Sequence, residues 1–272
     1  MIRIGTAGVP LYCKGRGNSE GVRCVKSLGL DAMEVEFVRG VRMNPNDAEI
    51  IRKFSQSENV LISVHAPYFI NLASKEKEKV EASKQRLLVS ARYAKMMGAK
   101  IVVFHPGFYM GREASVVYEI IKNEVMDVRE KLNLENNRVI LGLETTGRQK
   151  QFGTLAENIK IAAEVDGVLP VVDFAHLHAR GSGCLKERND FEKIFEEIEK
   201  SLGKAYMHCH FSGVYYKKGN ERYHIPIESR EPDYALLADI LRENYNDRDI
   251  TLICESPLLE MDALRLKEMI FG

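Results

Sequence analysis

The stretch KIVVFHPG, residues 100–107, contains the pattern on which the fold prediction rests. Its four apolar residues form a run too short for a helix, and the run leads directly into a histidine and a Pro-Gly turn. Seven other short runs rich in Val, Ile and Leu recur along the chain, at residues 2–6, 32–37, 60–65, 139–144, 169–173, 205–210 and 251–255. The sequence therefore predicts eight buried β-strands.

Stretches with helical periodicity separate many of these runs, at residues 75–97, 114–132, 155–165, 190–202 and 233–245. A strand followed by a helix, repeated eight times, is typical of a parallel (β/α)₈ TIM barrel, whose strands are buried on both faces. An open, doubly wound sheet is the alternative. No linker or change of composition marks a boundary, so we predict a single TIM-barrel domain over residues 1–272.

Composition limits the function classes. Lys and Arg total 39, as do Asp and Glu, so the net charge does not indicate the strongly basic surface of many nucleic-acid binders. Neither a signal peptide nor a membrane span is evident, so we expect a cytoplasmic protein without a membrane partner. The five cysteines are scattered, without the paired spacing of a structural zinc site, and we expect reduced thiols.

The strand ends are unusually polar. In a TIM barrel the active site lies where strands end and the following loops begin. Those positions hold His65, His105, Glu144, Asp173, His176, His208, His210 and Glu255. Any one of these histidines alone would most simply be a core or surface residue.

Together, imidazoles and carboxylates that converge on one rim need a cation, because buried charges and unpaired donors are costly. Nitrogen and oxygen ligands suit zinc or manganese. Side-chain alternation turns Cys209 and Cys254 away from this set and puts His208 and His210 on one face. One of these two histidines would bind metal while the other supports it, and the sequence does not choose between them. Glu34 and Glu36 also share a side, as supporting carboxylates or as a salt-bridged barrel layer.

Six motifs in order resemble the endonuclease IV family of apurinic/apyrimidinic endonucleases across nearly the whole chain. They are HAPYFINLAS (65–74), FHPG (104–107), LETT (143–146), DFAH (173–176), MH (207–208) and LICES (252–256). The resemblance implies a barrel of the xylose-isomerase-like superfamily that holds up to three Zn²⁺ ions, with Mn²⁺ as another possibility.

The resemblance also implies a role for each ligand. His65 and His105 would bind one metal, and Glu144 would bridge it to a second. Asp173, His208 and Glu255 would complete the second site, with His210 as a supporting or alternative ligand. His176 would bind a third metal together with Glu221 and His224.

The third site departs from the family pattern. Where the family has Asp-x-His, this chain reads GNERYHIPI, with Glu221 in place of Asp. The spacing to His224 is one residue longer, and Tyr223 takes the place of the ligand His. The longer side chain of Glu221 and the shifted His224 could still bind the third metal together with His176.

The activity that the resemblance implies is nicking of double-stranded DNA on the 5′ side of an abasic site, in base excision repair. Metal-bridged hydroxide, with Glu144 as the bridging residue, would attack the phosphate. The loops that hold Tyr68, Arg39 and Arg42 would enter the minor groove and help to flip the abasic sugar. We expect a monomeric enzyme.

Two rival hypotheses remain. Sugar isomerases and epimerases of the same superfamily resemble this chain at Glu144, Asp173, a His of the seventh strand and Glu255, which would hold one metal. They leave His65, His105, His176 and His224 without a role. The other hypothesis is a catalytically silent barrel that only binds nucleic acid.

Overall fold

Eight parallel strands close into a barrel in the computed structural model, which describes the whole chain, residues 1–272. Each strand pairs with its neighbours in chain order, and the eighth pairs with the first. The barrel strands, first to eighth, are Ile2–Ala7, Ala32–Glu36, Leu61–His65, Ile101–Phe104, Ile140–Glu144, Val168–Asp173, Met207–Phe211 and Ile250–Cys254. The predicted TIM barrel is confirmed, and the open-sheet alternative is wrong.

Nine helices accompany the strands. They are Gly17–Ser27, Pro45–Glu58, Lys77–Met97, Ala114–Leu134, Leu155–Glu164, Phe174–Arg180, Arg188–Leu202, Tyr234–Asn244 and Glu260–Phe271. Local sequence sets several of their ends: the Asn44 side chain caps the helix that begins at Pro45, and Thr154 and Glu157 form a capping box. Gly98, in the left-handed conformation, ends the third helix.

Two small antiparallel strand pairs stand on the rim at the carboxyl ends of the strands. Gly107–Phe108 pairs with Gln151–Phe152 from the loop after the fifth strand, and Gly213–Tyr216 forms a hairpin with Glu221–Ile225. The hairpin matters for the site because two predicted ligands lie on its return strand.

The main apolar core is a cluster of 63 buried residues between the strands and the helices, and two further clusters have three buried residues each. Near its middle, by contrast, the barrel contains buried polar side chains. Glu34 pairs in register with Ser63, and His208 with Thr251, and all four are at most 1% exposed. Polar groups so deeply buried need hydrogen-bond partners, so we expect the side chains of this layer to contact one another or the site residues at the strand ends.

One expectation about the cysteines is wrong. Cys13 and Cys24 are joined in a disulfide between the loop after the first strand and the first helix, and only Cys184, Cys209 and Cys254 are free. Cys209 and Cys254 are buried in the core, as their predicted orientation requires. None of the helices has the length and apolar character needed to cross a bilayer.

Candidate metal centre

The predicted ligands meet around one cavity at the carboxyl ends of the strands, where the site of a TIM barrel is expected. The cavity has a volume of about 380 Å³. Its walls include His65, Tyr68, His105, Glu144, Arg148, His176, Glu221, His224 and Glu255. Three groups of possible ligands border it, and in each the ligand atoms lie within 4.8 Å of one another.

The first group is His65, His105 and Glu144. The Oε2 atom of Glu144 lies 3.0 Å from Nε2 of His65 and 2.9 Å from Nε2 of His105. Each histidine comes from the end of its own strand or from the residue just after it. The structure therefore brings together the three residues that the resemblance implied for the first metal.

The second group is Glu144, Asp173, His210 and Glu255. Nδ1 of His210 lies 3.5 Å from Oε1 of Glu144 and 3.3 Å from Oε1 of Glu255. Glu144 thus belongs to both groups, with one oxygen facing each, which is the placement needed for a bridging carboxylate.

His208, which the resemblance placed in this second group, lies elsewhere. In the strand register His210 is level with Asp173, whereas His208 is level with Val171, two residues deeper in the barrel. Two residues of strand correspond to about 6.6 Å. The side chain of His208 accordingly contacts Glu34 instead of the rim, so His210 replaces it as the proposed ligand.

The third group is His176, Glu221 and His224. Nε2 of His176 lies 3.5 Å from Oε2 of Glu221, and Nε2 of His224 lies 3.7 Å from Oε1 of Glu221. The hairpin pairing shifts by one residue here, since Tyr215 pairs with Tyr223 but Tyr216 pairs with Glu221. The backbone thus absorbs the extra residue of the GNERYHIPI segment.

Gly147 allows the third group to assemble. A Cβ atom on this residue would lie 2.8 Å from Cβ of Glu221 and 2.9 Å from Cδ2 of His176. The amide of Glu221 also donates a hydrogen bond to the carbonyl of Gly147, at 2.9 Å. The glycine after the LETT motif therefore lets the hairpin approach the fifth and sixth strands.

The hydrogen bonding at the rim fits a bound cation. Four buried atoms of the proposed ligands lie near groups of opposite charge but make no contact with hydrogen-bond geometry: His105 Nε2, Glu144 Oε1, Asp173 Oδ2 and His210 Nδ1. His65 donates from Nδ1 to the carbonyl of Ala66, and His176 donates from Nδ1 to the carbonyl of Thr145, each at 2.8–2.9 Å. A histidine held in this way presents its other nitrogen to a metal. Nitrogen and carboxylate donors suit zinc or manganese.

Charge coupling in the cluster is strong. Burial alone lowers the pKa of His65, but contact with Glu144 outweighs it and raises that pKa to about 10. Burial likewise raises the pKa of Glu144, yet His105 and neighbouring imidazoles hold it well below its usual range. Without a metal, protons on the histidines neutralise the carboxylates, and a divalent cation could take over this role.

The residues predicted to contact DNA lie in two places. The ring of Tyr68 lies beside the first group, 5.1 Å from the His65 ring between centroids. Arg39 and Arg42 instead border a larger neighbouring cavity of about 640 Å³, together with Arg16. The structure thus puts Tyr68 in the wall of the candidate site and the arginines around the other cavity.

Comparison with known proteins identifies relatives of this chain. A protein of Methanocaldococcus jannaschii described as uncharacterised is 40% identical over 269 residues, which cover 98% of this chain and 96% of that protein. A probable endonuclease 4 of Listeria monocytogenes is 33% identical over 150 residues. That match covers 52% of this chain and 48% of the relative, so it spans about half the length of the relative.

Solved structures share the fold. Endonuclease IV from Thermus thermophilus superposes with a TM-score of 0.77 at 19% identity, over 99% of both chains. A D-tagatose 3-epimerase-like protein gives a TM-score of 0.72 at 18% identity, over 98% of this chain and 96% of the other. At such identities the likeness concerns the fold alone.

A family model described as xylose isomerase-like TIM barrel matches residues 22–268, which is most of the chain. Together with the relatives above, this match confirms at the family level the resemblance that the motifs indicated. The chain belongs to the xylose isomerase-like TIM barrel family.

Proposed function

We propose that the protein is a zinc-dependent endonuclease that nicks double-stranded DNA on the 5′ side of abasic sites, as a cytoplasmic monomer. It would hold up to three Zn²⁺ ions, or Mn²⁺ in their place. The proposed ligands are His65, His105, Glu144, Asp173, His176, His210, Glu221, His224 and Glu255.

One observation carries the proposal: three ligand groups, instead of one, border a single cavity. A one-metal epimerase would be served by the group around Glu144, Asp173, His210 and Glu255 alone. The endonuclease hypothesis gives a role to the His65 and His105 pair and to the hairpin group as well. The Listeria monocytogenes relative described as a probable endonuclease 4 supports it further.

The cavity offers the groups that phosphodiester hydrolysis needs. Divalent metals bound there would activate a water molecule and neutralise a phosphate. Arg148, half exposed on the cavity wall, can contact a phosphate oxygen. The exposed ring of Tyr68 can pack against a flipped sugar or an adjacent base.

The surface beside the cavity suits a polyanion although the net charge of the chain is zero. Arg16, Arg39 and Arg42 are exposed around the larger cavity, and none of them forms an ion pair. Some basic residues on the outer helices are paired instead; Lys84, for example, contacts the carboxylates of Glu124 and Asp127. Unpaired arginines on one face add salt-dependent affinity for DNA.

The test combines metal analysis with a cleavage assay. The purified protein should contain more than one equivalent of metal and should cut a duplex with one tetrahydrofuran abasic analogue on its 5′ side. Glu144→Gln should abolish cleavage, whereas Glu197→Gln, on an exposed position of an outer helix, should leave it unchanged.

The epimerase alternative has the fold of the D-tagatose 3-epimerase-like protein in its favour. It predicts one tightly bound metal, no DNA cleavage and interconversion of ketoses at the third carbon. This combination of results would refute the endonuclease proposal. Salt-sensitive binding of abasic DNA without incision would favour the silent barrel instead.

A further inference from the structure

The two ring nitrogens of His210 face two different carboxylate environments. Nδ1 points towards the rim, 3.3 Å from Glu255 and 3.5 Å from Glu144. Nε2 points into the barrel and lies 2.9 Å from Oε1 of Glu34. The ring is fully buried, so its orientation is set by these neighbours and not by solvent.

Glu34 also contacts a histidine that lies deeper in the barrel. Its other oxygen, Oε2, accepts a hydrogen bond from Nε2 of His208 at 2.9 Å. Nδ1 of His208 lies at hydrogen-bond distance, 2.8 Å, from the hydroxyl of Tyr206. A continuous series of polar side chains therefore runs from the rim into the barrel: His210, Glu34, His208 and Tyr206.

This series is completely enclosed. Glu34 and His210 are 0% exposed and His208 is 1% exposed, and no lysine or arginine is among the contacts of Glu34. Burying a carboxylate without a compensating partner is costly, so the buried Glu34 carboxylate needs polar or charged partners. The two imidazoles are the partners in the structure.

Glu34, His208 and His210 could also be regarded as a separate cation site. Two features favour direct contact instead. Nε2 of His208 and Oε2 of Glu34 form a hydrogen bond of 2.9 Å, and Nε2 of His210 lies at the same distance from Oε1 of Glu34, close enough for a direct charge contact although the angles are not those of a hydrogen bond. Moreover, a separate site would have to share His210 with the rim, which would require one imidazole to bind two metals.

We propose that Glu34, held by His208, is a positioning residue that fixes the His210 imidazole so that Nδ1 is presented to a metal at the rim. The inference rests on the proposed metal centre and adds to it two residues that do not themselves border the rim cavity. A carboxylate that contacts the non-ligating nitrogen of a metal-bound histidine sets the ring orientation and increases its basicity as a ligand.

The experiment measures zinc affinity and zinc content separately. Wild type, Glu34→Gln and Ser63→Ala would be titrated with zinc against a chromophoric chelator, and metal content would be measured at saturating zinc. Ser63 is the matched control, because it is buried next to Glu34 in the register and its hydroxyl has no hydrogen-bond partner. For Glu34→Gln we expect one zinc equivalent to bind about 10- to 100-fold more weakly, with unchanged content at saturation.

Two other results for Glu34→Gln decide against the inference. Unchanged affinity in Glu34→Gln would limit Glu34 to a structural role, and a missing equivalent at saturating zinc would make it a direct ligand. If Glu34→Gln fails to fold, His208→Phe decides: weaker binding of one equivalent supports the inference, and unchanged binding overturns it. A wild-type protein without metal would refute the proposed function as well, whereas a metal-loaded, DNA-cleaving wild type with an unaffected variant refutes only this inference.

Discussion

Glu221 and His224 meet on the same side of their hairpin, 3.7 Å apart between Oε1 and Nε2, although they are three residues apart in the chain. In a regular strand, residues three apart point to opposite faces. The pairing with Tyr215 and Tyr216 passes over Arg222, so a β-bulge at this residue turns both ligands towards the cavity. The Glu-x-x-His segment therefore puts an acid and a histidine on one face, as an Asp-x-His segment would in a regular strand.

The first prediction concerns this bulge. Deleting Arg222 leaves the Glu and the His two residues apart in a regular strand, which again puts them on one face. We expect the deletion variant to keep the metal content of the wild type, as measured by elemental analysis. His224→Ala, which removes one ligand without changing the backbone, should lose one equivalent. Equal losses in the two variants would show that the bulge itself is required.

Gly147 provides a second prediction. Gly147→Ala would press a methyl group against Glu221 and His176, at 2.8–2.9 Å. Overpacking of this kind costs about 1–3 kcal/mol and should displace the hairpin, with the loss of one metal equivalent. Gly29→Ala is the control, because nothing lies within 4 Å of its added Cβ and its positive φ alone makes it destabilising. Metal loss in both variants would mean that general destabilisation, and not contact with the ligands, releases the metal.

Much of the rim was predictable because it depends on local sequence. A strand that ends in a polar residue presents it at the barrel rim, so His65, Glu144 and Asp173 follow from the ends of their own apolar runs. The choice between His208 and His210 was not predictable in this way. The two share a face and differ only in depth, and depth is set by the register with neighbouring strands, which no single segment encodes.

Long-range packing also explains what the sequence did not indicate. The contact of Gly147 with Glu221 joins residues that are far apart in the chain. The Cys13–Cys24 pair is local, but Cys24 lies in the helix Gly17–Ser27, whose glycine-containing beginning carries a weak helical signal. The bulge is indicated in the sequence only by the spacing between Glu221 and His224, which is one residue longer than in the family pattern.

The disulfide gives a third prediction. Protein purified without reductant and then denatured should react with three equivalents of maleimide, since Cys184, Cys209 and Cys254 are free. After reduction it should react with five, and the loss of this cross-link should lower the free energy of unfolding by about 2–3 kcal/mol. Five reactive thiols before reduction would instead restore the expectation from the sequence.

The fourth prediction concerns the arginines beside the metal centre. Arg39 and Arg42 are exposed and unpaired, so in DNA binding each would replace counterions at about one phosphate. Replacing either one by alanine should weaken binding of abasic duplex and reduce the slope of log K against log salt by about 1, as measured by fluorescence anisotropy across a salt series. Arg138 is the matched control: it is also exposed but precedes the fifth strand, at the opposite end of the barrel. If Arg138→Ala changes the slope as much as Arg39→Ala, the DNA does not lie on the face that holds the candidate metal centre, and the contact surface proposed here is wrong.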